Sequence, residues 1–182
     1  IAAPTPLPPV SPGLTLYHVA IGRGTQNYTC KTSLETDTPT AIGAKATLFN
    51  ATCASVRSPG ILASTPNLAL AYPIPTSDTA DVLLSGHHFF LNNTTPFFTL
   101  DTDVHTWGSV ATKKVSSSLA PSDAPAGDNG MGSVAWLKLS GFSGDFKEVY
   151  RLNTAGGNPP KNCSGIQGTF EVNYAAVYYL WK

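Results

Sequence analysis

The stretch Thr169-Phe170-Glu171-Val172-Asn173-Tyr174-Ala175-Ala176-Val177-Tyr178-Tyr179-Leu180-Trp181 decides how the chain is read. Phe170, Val172, Tyr174, Ala176, Tyr178 and Leu180 occupy alternate positions, with Glu171 and Asn173 between them. Successive side chains of a strand point to opposite faces, so this two-residue period predicts a β-strand with one apolar row. From Ala175 to Trp181 the second row is apolar too, which predicts a strand covered on both faces and central in its sheet.

The same alternation recurs upstream. In residues 133–139, Ala135, Leu137 and Leu139 share a face. In residues 146–152, Phe146, Glu148, Tyr150 and Leu152 share one, with Lys147 and Arg151 opposite. β-Branched and aromatic runs between Gly, Pro, Ser and Asn clusters add strands at 14–21, 26–30, 45–49, 82–91, 97–101 and 104–110. No stretch shows a 3.6-residue apolar stripe of helix length. The expected fold is all-β, an antiparallel β-sandwich or barrel. Residues 1–182 read as one domain, with 1–13 a Pro-rich extended arm and 116–130 a long, irregular, mobile loop.

Charged residues make up 12% of the chain, against about 25% in soluble proteins generally. Sixteen Ser and 21 Thr supply the polar surface instead, a balance common in exported proteins. The net charge is zero and Lys113-Lys114 is the one adjacent basic pair. Phosphate backbones need a concentrated cationic face, so nucleic acid is excluded as an expected partner, and so is an anionic membrane surface. No window reaches the roughly 18 continuous apolar residues of a membrane span. A soluble monomer is expected.

The opening Ile1-Ala2-Ala3-Pro4-Thr5-Pro6-Leu7-Pro8-Pro9 reads as the start of a mature chain after removal of an export signal, which places the protein outside the cell. Asn27, Asn50, Asn92, Asn93 and Asn162 each begin an N-x-[ST] glycosylation acceptor. Cys30, Cys53 and Cys163 include no C-x-x-C pair, so a structural zinc site is not expected. In an oxidising compartment two of the three pair. The expected bridge is Cys30–Cys53, because both close strand-like segments separated by a loop.

Several stretches together carry a family resemblance. They are residues 13–30 (Gly13-Leu14-Thr15-Leu16-Tyr17-His18 through Tyr28-Thr29-Cys30), Gly86-His87-His88-Phe89, Val134-Ala135-Trp136-Leu137-Lys138-Leu139, and Val149-Tyr150-Arg151-Leu152-Asn153-Thr154-Ala155-Gly156-Gly157 with Pro159 and Cys163. With the closing Val172-Asn173-Tyr174-Ala175-Ala176, the chain resembles a family of secreted fungal proteins, with bacterial relatives, known only as a domain of unknown function. The resemblance implies secretion and fungal origin and transfers no catalytic residue. Some members carry the label "malate dehydrogenase", which these residues do not support. Dinucleotide binding needs G-x-G-x-x-G between a strand and a helix, whereas Gly22-Arg23-Gly24 is followed by Asn27 in the third glycine's place and leads into a strand.

The strongest candidate for chemistry is Asp101-Thr102-Asp103-Val104-His105-Thr106-Trp107. If extended, Asp101, Asp103 and His105 project from one face, and with His88 they form a candidate site for one divalent metal ion. The competing reading is a solvated turn joining two strands. At Gly86-His87-His88-Phe89 the two rings must point to opposite faces, so at most one lines any site. Glu148, on an otherwise apolar face, is either a candidate general acid or the partner of Lys138 or Arg151. Trp107 and Tyr72 are candidates for an aromatic surface on which sugar rings stack. The function expected is a secreted module that binds cell-wall or host polysaccharide. The alternative is a secreted metal-assisted or carboxylate-based hydrolase or lyase.

Overall fold

The computed structural model describes residues 3–76 and 78–182. Its strands are β1 (Leu16–Cys30), β2 (Thr40–Asn50), β3 (Leu84–Leu91), β4 (Thr95–Asp101), β5 (Thr106–Ser118), β6 (Trp136–Gly144), β7 (Glu148–Gly156) and β8 (Gly168–Trp181). Each pairs antiparallel with its neighbour in sequence, and β8 pairs back onto β1 from Leu16–Trp181 to Cys30–Gly168. Of the two architectures expected, the chain is the barrel: eight strands, up and down, closed. Closure leaves no sheet edge with unpaired backbone groups.

The apolar row of β8 faces inward. Tyr174, Ala176, Tyr178 and Leu180 meet Leu48, Phe98, Leu100, Val110, Leu139 and Val149 from the other strands in one core. The second apolar row of β8 has a different cause from the central position expected of it. In a closed barrel every strand has two neighbours, and the outer face is covered by other parts of the chain.

Three helices lie between β2 and β3, where no helix was expected: α1 (Thr52–Arg57), α2 (Pro59–Leu70) and α3 (Asp78–Asp81), and α2 provides part of that cover. Helix α2 buries only Leu62, Pro66 and Leu70, one residue per turn, and its other positions are mostly Ala, Ser, Thr and Asn. That narrow stripe gives little periodic signal in sequence. Leu62 packs with Val19 and Val177, and Leu70 with Ala155 and Ala175. The Pro-rich arm covers another part of the outside. The Pro9 carbonyl accepts from Lys138 Nζ at 2.7 Å, and the Pro8 carbonyl accepts from the Tyr150 hydroxyl at 2.9 Å.

Residues 14–21 and 26–30, read as two strands, are one strand. Gly22 and Gly24 interrupt the sequence pattern but not the ladder. They allow close approach: a Cβ on Gly22 would stand 2.5 Å from Tyr178 Cε2, and one on Gly24 would collide with the Lys45 backbone. Strand β5 runs on through Lys113, Lys114 and Ser116 to Ser118, so the long connection begins at residue 119. It is tied to β7 by the Gly156 N–H, which donates to the Pro125 carbonyl at 2.9 Å.

The disulfide joins Cys30 to Cys163, not to Cys53, which is free and exposed. Topology explains the correction. Strand β2 returns antiparallel along β1, so Asn50 lies opposite Ala20. Cys53 therefore lies near the start of β1, and Cys30 is ten residues further along that strand, about 33 Å away. Cys163 precedes β8, whose first residue Gly168 pairs with Cys30 itself.

Candidate functional site

The two ends of the barrel are built differently. At the end where β1, β3, β5 and β7 begin, three rings meet. Trp107 lies 4.6 Å from the His18 ring and 4.4 Å from that of His105. His18 Nε2 is 2.8 Å from Ser85 Oγ, and both residues are buried. Burial, with the nearby His105 charge adding, lowers the His18 pKa to about 4, so the ring is neutral at pH 7. This end is a closed floor, filled above by Leu100, Val110, Phe146 and Leu180.

The opposite end is open. A cavity of about 590 Å³ enters the lumen between the β3–β4 hairpin, β5 and the segment leading into β6. Phe90, Phe98, Leu137 and Leu139 form much of its wall. Five polar side chains come together below the mouth. Arg151, 8% exposed, donates from Nε and Nη2 to the Ala135 carbonyl at 3.2 and 2.8 Å. His88 lies flat on Phe98 with ring centroids 4.2 Å apart, and its Nδ1–H donates to the Phe97 carbonyl at 2.8 Å. Burial lowers the His88 pKa to about 4; the Phe97 bond opposes this and the Arg151 charge adds to it. The neutral ring thus keeps its lone pair on Nε2. The Tyr174 and Tyr178 hydroxyls pair at 2.8 Å, and burial raises both phenols above their usual range. Gln26 Nε2 is buried without a hydrogen-bond partner.

Arg151 was not recognisable as a site residue. In residues 146–152 the row Phe146, Glu148, Tyr150 and Leu152 reads as one face, but the structure divides it: Phe146, before β7 begins, is in the core, while Glu148, Tyr150 and Leu152 lie on the outer face against the arm. The inner positions of β7 are Val149 and Arg151. Glu148 pairs with Lys138 at 2.9 Å and accepts from Ser11 Oγ at 2.7 Å, which settles its alternatives in favour of the structural pair.

The expected metal ligands do not come together. Among the described residues no group of three His, Cys, Asp or Glu is arranged to hold a metal ion. Asp101 ends β4 and Thr106 begins β5, so the segment between them is a hairpin turn, not an extended face. Thr102 N–H donates to the His105 carbonyl at 2.7 Å, and Asp101 Oδ1 accepts from Gly108 N–H at 2.7 Å. Asp103 is exposed, while His88 faces the lumen and His87 faces solvent, opposite one another as the strand period requires. Trp107 is held between two imidazoles and Tyr72 is 62% exposed beyond α2. Asn50, Asn92 and Asn93 are exposed, whereas Asn27 is half-buried in β1, its Oδ1 accepting from the Thr25 hydroxyl, and Asn162 is half-buried beside Cys163.

A second depression, about 550 Å³, lies on the outer face of β1, β2 and β3. Its cations are already engaged: Arg23 by the Ala69 and Gly24 carbonyls and Asn173, and Lys45 by Glu171. The lumen therefore offers the freer binding chemistry.

The stretch Thr154-Ala155-Gly156-Gly157 ends β7 on the side of the mouth. Gly156 and Gly157 have φ of 63° and 97°, a conformation that favours glycine. The Gly157 carbonyl accepts from the Tyr28 hydroxyl at 2.8 Å. No curated protein and no solved structure matches the chain. A family model does match residues 10–182, a span that takes in all eight strands, both bridged cysteines and every lumen residue. The chain belongs to the family described as "Protein of unknown function (DUF3455)".

Proposed function

We propose that the protein is an exported binding module that takes a small molecule with an apolar body into the open end of its barrel. The observation that carries this reading is the cavity of about 590 Å³ in which apolar walls surround a few convergent polar groups. Ligand sites commonly measure about 300–1,000 Å³ and have that composition, and eight-stranded barrels are wide enough to hold one small ligand. Export is supported by the Cys30–Cys163 bridge, since disulfides persist in oxidising compartments. No helix among the described residues is long and apolar enough to cross a membrane. Polysaccharide stacking on the outside has less behind it: of the two residues expected to form the surface, Trp107 lies between two imidazoles and Tyr72 alone is exposed.

Titration with the neutral fluorophore N-phenyl-1-naphthylamine tests the reading. Saturable one-to-one binding is expected, weakened about tenfold or more by Leu137→Trp, which narrows the mouth, and unchanged by Tyr72→Ala. Equal binding by the Leu137→Trp variant, folded by circular dichroism, overturns it, as does absence of saturation.

A further inference from the structure

The lumen holds a charge without a counter-charge. Among the described residues two ion pairs occur, Lys45–Glu171 and Lys138–Glu148, and neither involves Arg151. The guanidinium is buried and its partners are neutral, the Ala135 carbonyl and the Tyr178 hydroxyl. Around the cavity stand Lys113, Lys114 and Arg151, with no aspartate or glutamate in the lining. The nearest imidazole, His88, is neutral. Burying an arginine unpaired is costly, and proteins normally offset that cost with a carboxylate or by leaving the ion in water.

From these observations we infer that the ligand is an anion: a flat apolar body bearing a carboxylate, with the carboxylate on Arg151 and the body against Phe90, Phe98 and Leu139. The inference rests on the lumen reading above. The guanidinium fork matches a carboxylate in plane, and such charge-assisted pairs are about twice as strong as neutral hydrogen bonds. The buried Gln26 Nε2, without a partner, supplies a further donor. Tyr178, paired with Tyr174, provides a hydroxyl on the same wall. Exposed Lys113 and Lys114 at the rim set a positive potential over the entrance and guide an anion inward.

Calorimetric titration with two probes of nearly equal shape, 2-naphthoate and 2-naphthalenemethanol, separates this inference from the reading beneath it. The wild-type protein is expected to bind the carboxylate about tenfold to a hundredfold more tightly, the range for hydrogen bonds to a charged group. Arg151→Met abolishes that preference, bringing the naphthoate affinity down to that of the alcohol. The Arg151 Nε–H resonance of the wild-type protein, which needs no substitution, shifts with naphthoate and not with the alcohol. Equal affinity for both probes overturns the anion inference and leaves lumen binding standing. Preference for naphthoate that survives Arg151→Met overturns the assignment of Arg151. Binding of neither probe overturns both.

Discussion

Glu148→Ala is expected to destabilise the fold by about 3–5 kcal/mol, the cost of leaving one partner of a buried ion pair uncompensated. The carboxylate and the Lys138 ammonium are 2.9 Å apart with side chains 9% and 8% exposed, between the barrel wall and the arm. Ser11 donates to Glu148 from both its N–H and its hydroxyl, and Lys138 reaches the Pro9 carbonyl. One substitution therefore strands a cation and releases the arm. Replacing both charges, as in Lys138→Met with Glu148→Leu, recovers most of the loss because no unpaired charge remains. Guanidinium unfolding of the wild type and the two variants makes the comparison.

The pH dependence follows from the same pair. Burial alone would raise the Glu148 carboxyl, but hydrogen bonds from Ser11 and Lys138 outweigh it and hold the group below the ordinary carboxylate range. A depressed folded pKa gives stability that is present above the unfolded value, about 4.3, and is lost as pH falls through the folded one. For Lys138, burial opposes ionisation, but the bonds to Glu148 and Tyr150 prevail and raise its pKa. Its contribution is present below the unfolded value, about 10.4, and is lost as pH rises through the folded one. The stability gap between wild type and Glu148→Gln is thus widest near neutrality and closes below about pH 4.

Removal of the Cys30–Cys163 bridge has the second large effect. It closes a loop of 133 residues in the unfolded chain, for which chain entropy gives about 5 kcal/mol as an upper figure and about 2 as a lower one. Cys30→Ser with Cys163→Ser is expected to fall in that range by denaturant unfolding, whereas Cys53→Ser changes stability by less than about 0.5 kcal/mol because its side chain is exposed. The bridge sits at the mouth end of the β1–β8 seam, where Cys30 opposes Gly168. Amide exchange in the double variant should accelerate first at Tyr28–Cys30 and Gly168–Phe170 and last near Leu180. A uniform change along the seam would contradict this account of where the bridge acts.

The strands were legible because a two-residue period survives in sequence wherever one face is apolar and the other wet, as in β8 before Ala175. It misled where the barrel breaks that rule. On β7 the arm covers Tyr150 and Leu152 on the outer face, while the lumen takes Arg151 beside Val149 on the inner one, so the apolar row marks the outside and Arg151 reads as solvent-facing. Helix α2 was missed because Leu62, Pro66 and Leu70 alone mark its buried stripe, among residues equally at home in loops. The bridge was misjudged because pairing depends on which strand ends meet, and closure of β8 on β1 is a long-range fact. The opposed directions of His87 and His88 were legible, since they follow from strand geometry alone. Arg151 left no local trace of its role, because a basic residue in an alternating strand reads as solvent-facing until closure turns that face inward.

The central claim is that the open end of the barrel is the binding site. Chemical-shift mapping of isotope-labelled protein at saturating 2-naphthalenemethanol tests it most directly, because it locates the ligand without any substitution. Shifts concentrated at His88, Phe98, Leu137 and Leu139, with little change at the His18–Trp107 floor, are predicted. Shifts confined to the outer face around Lys45, His87 and Tyr72, or none at saturation, would contradict it.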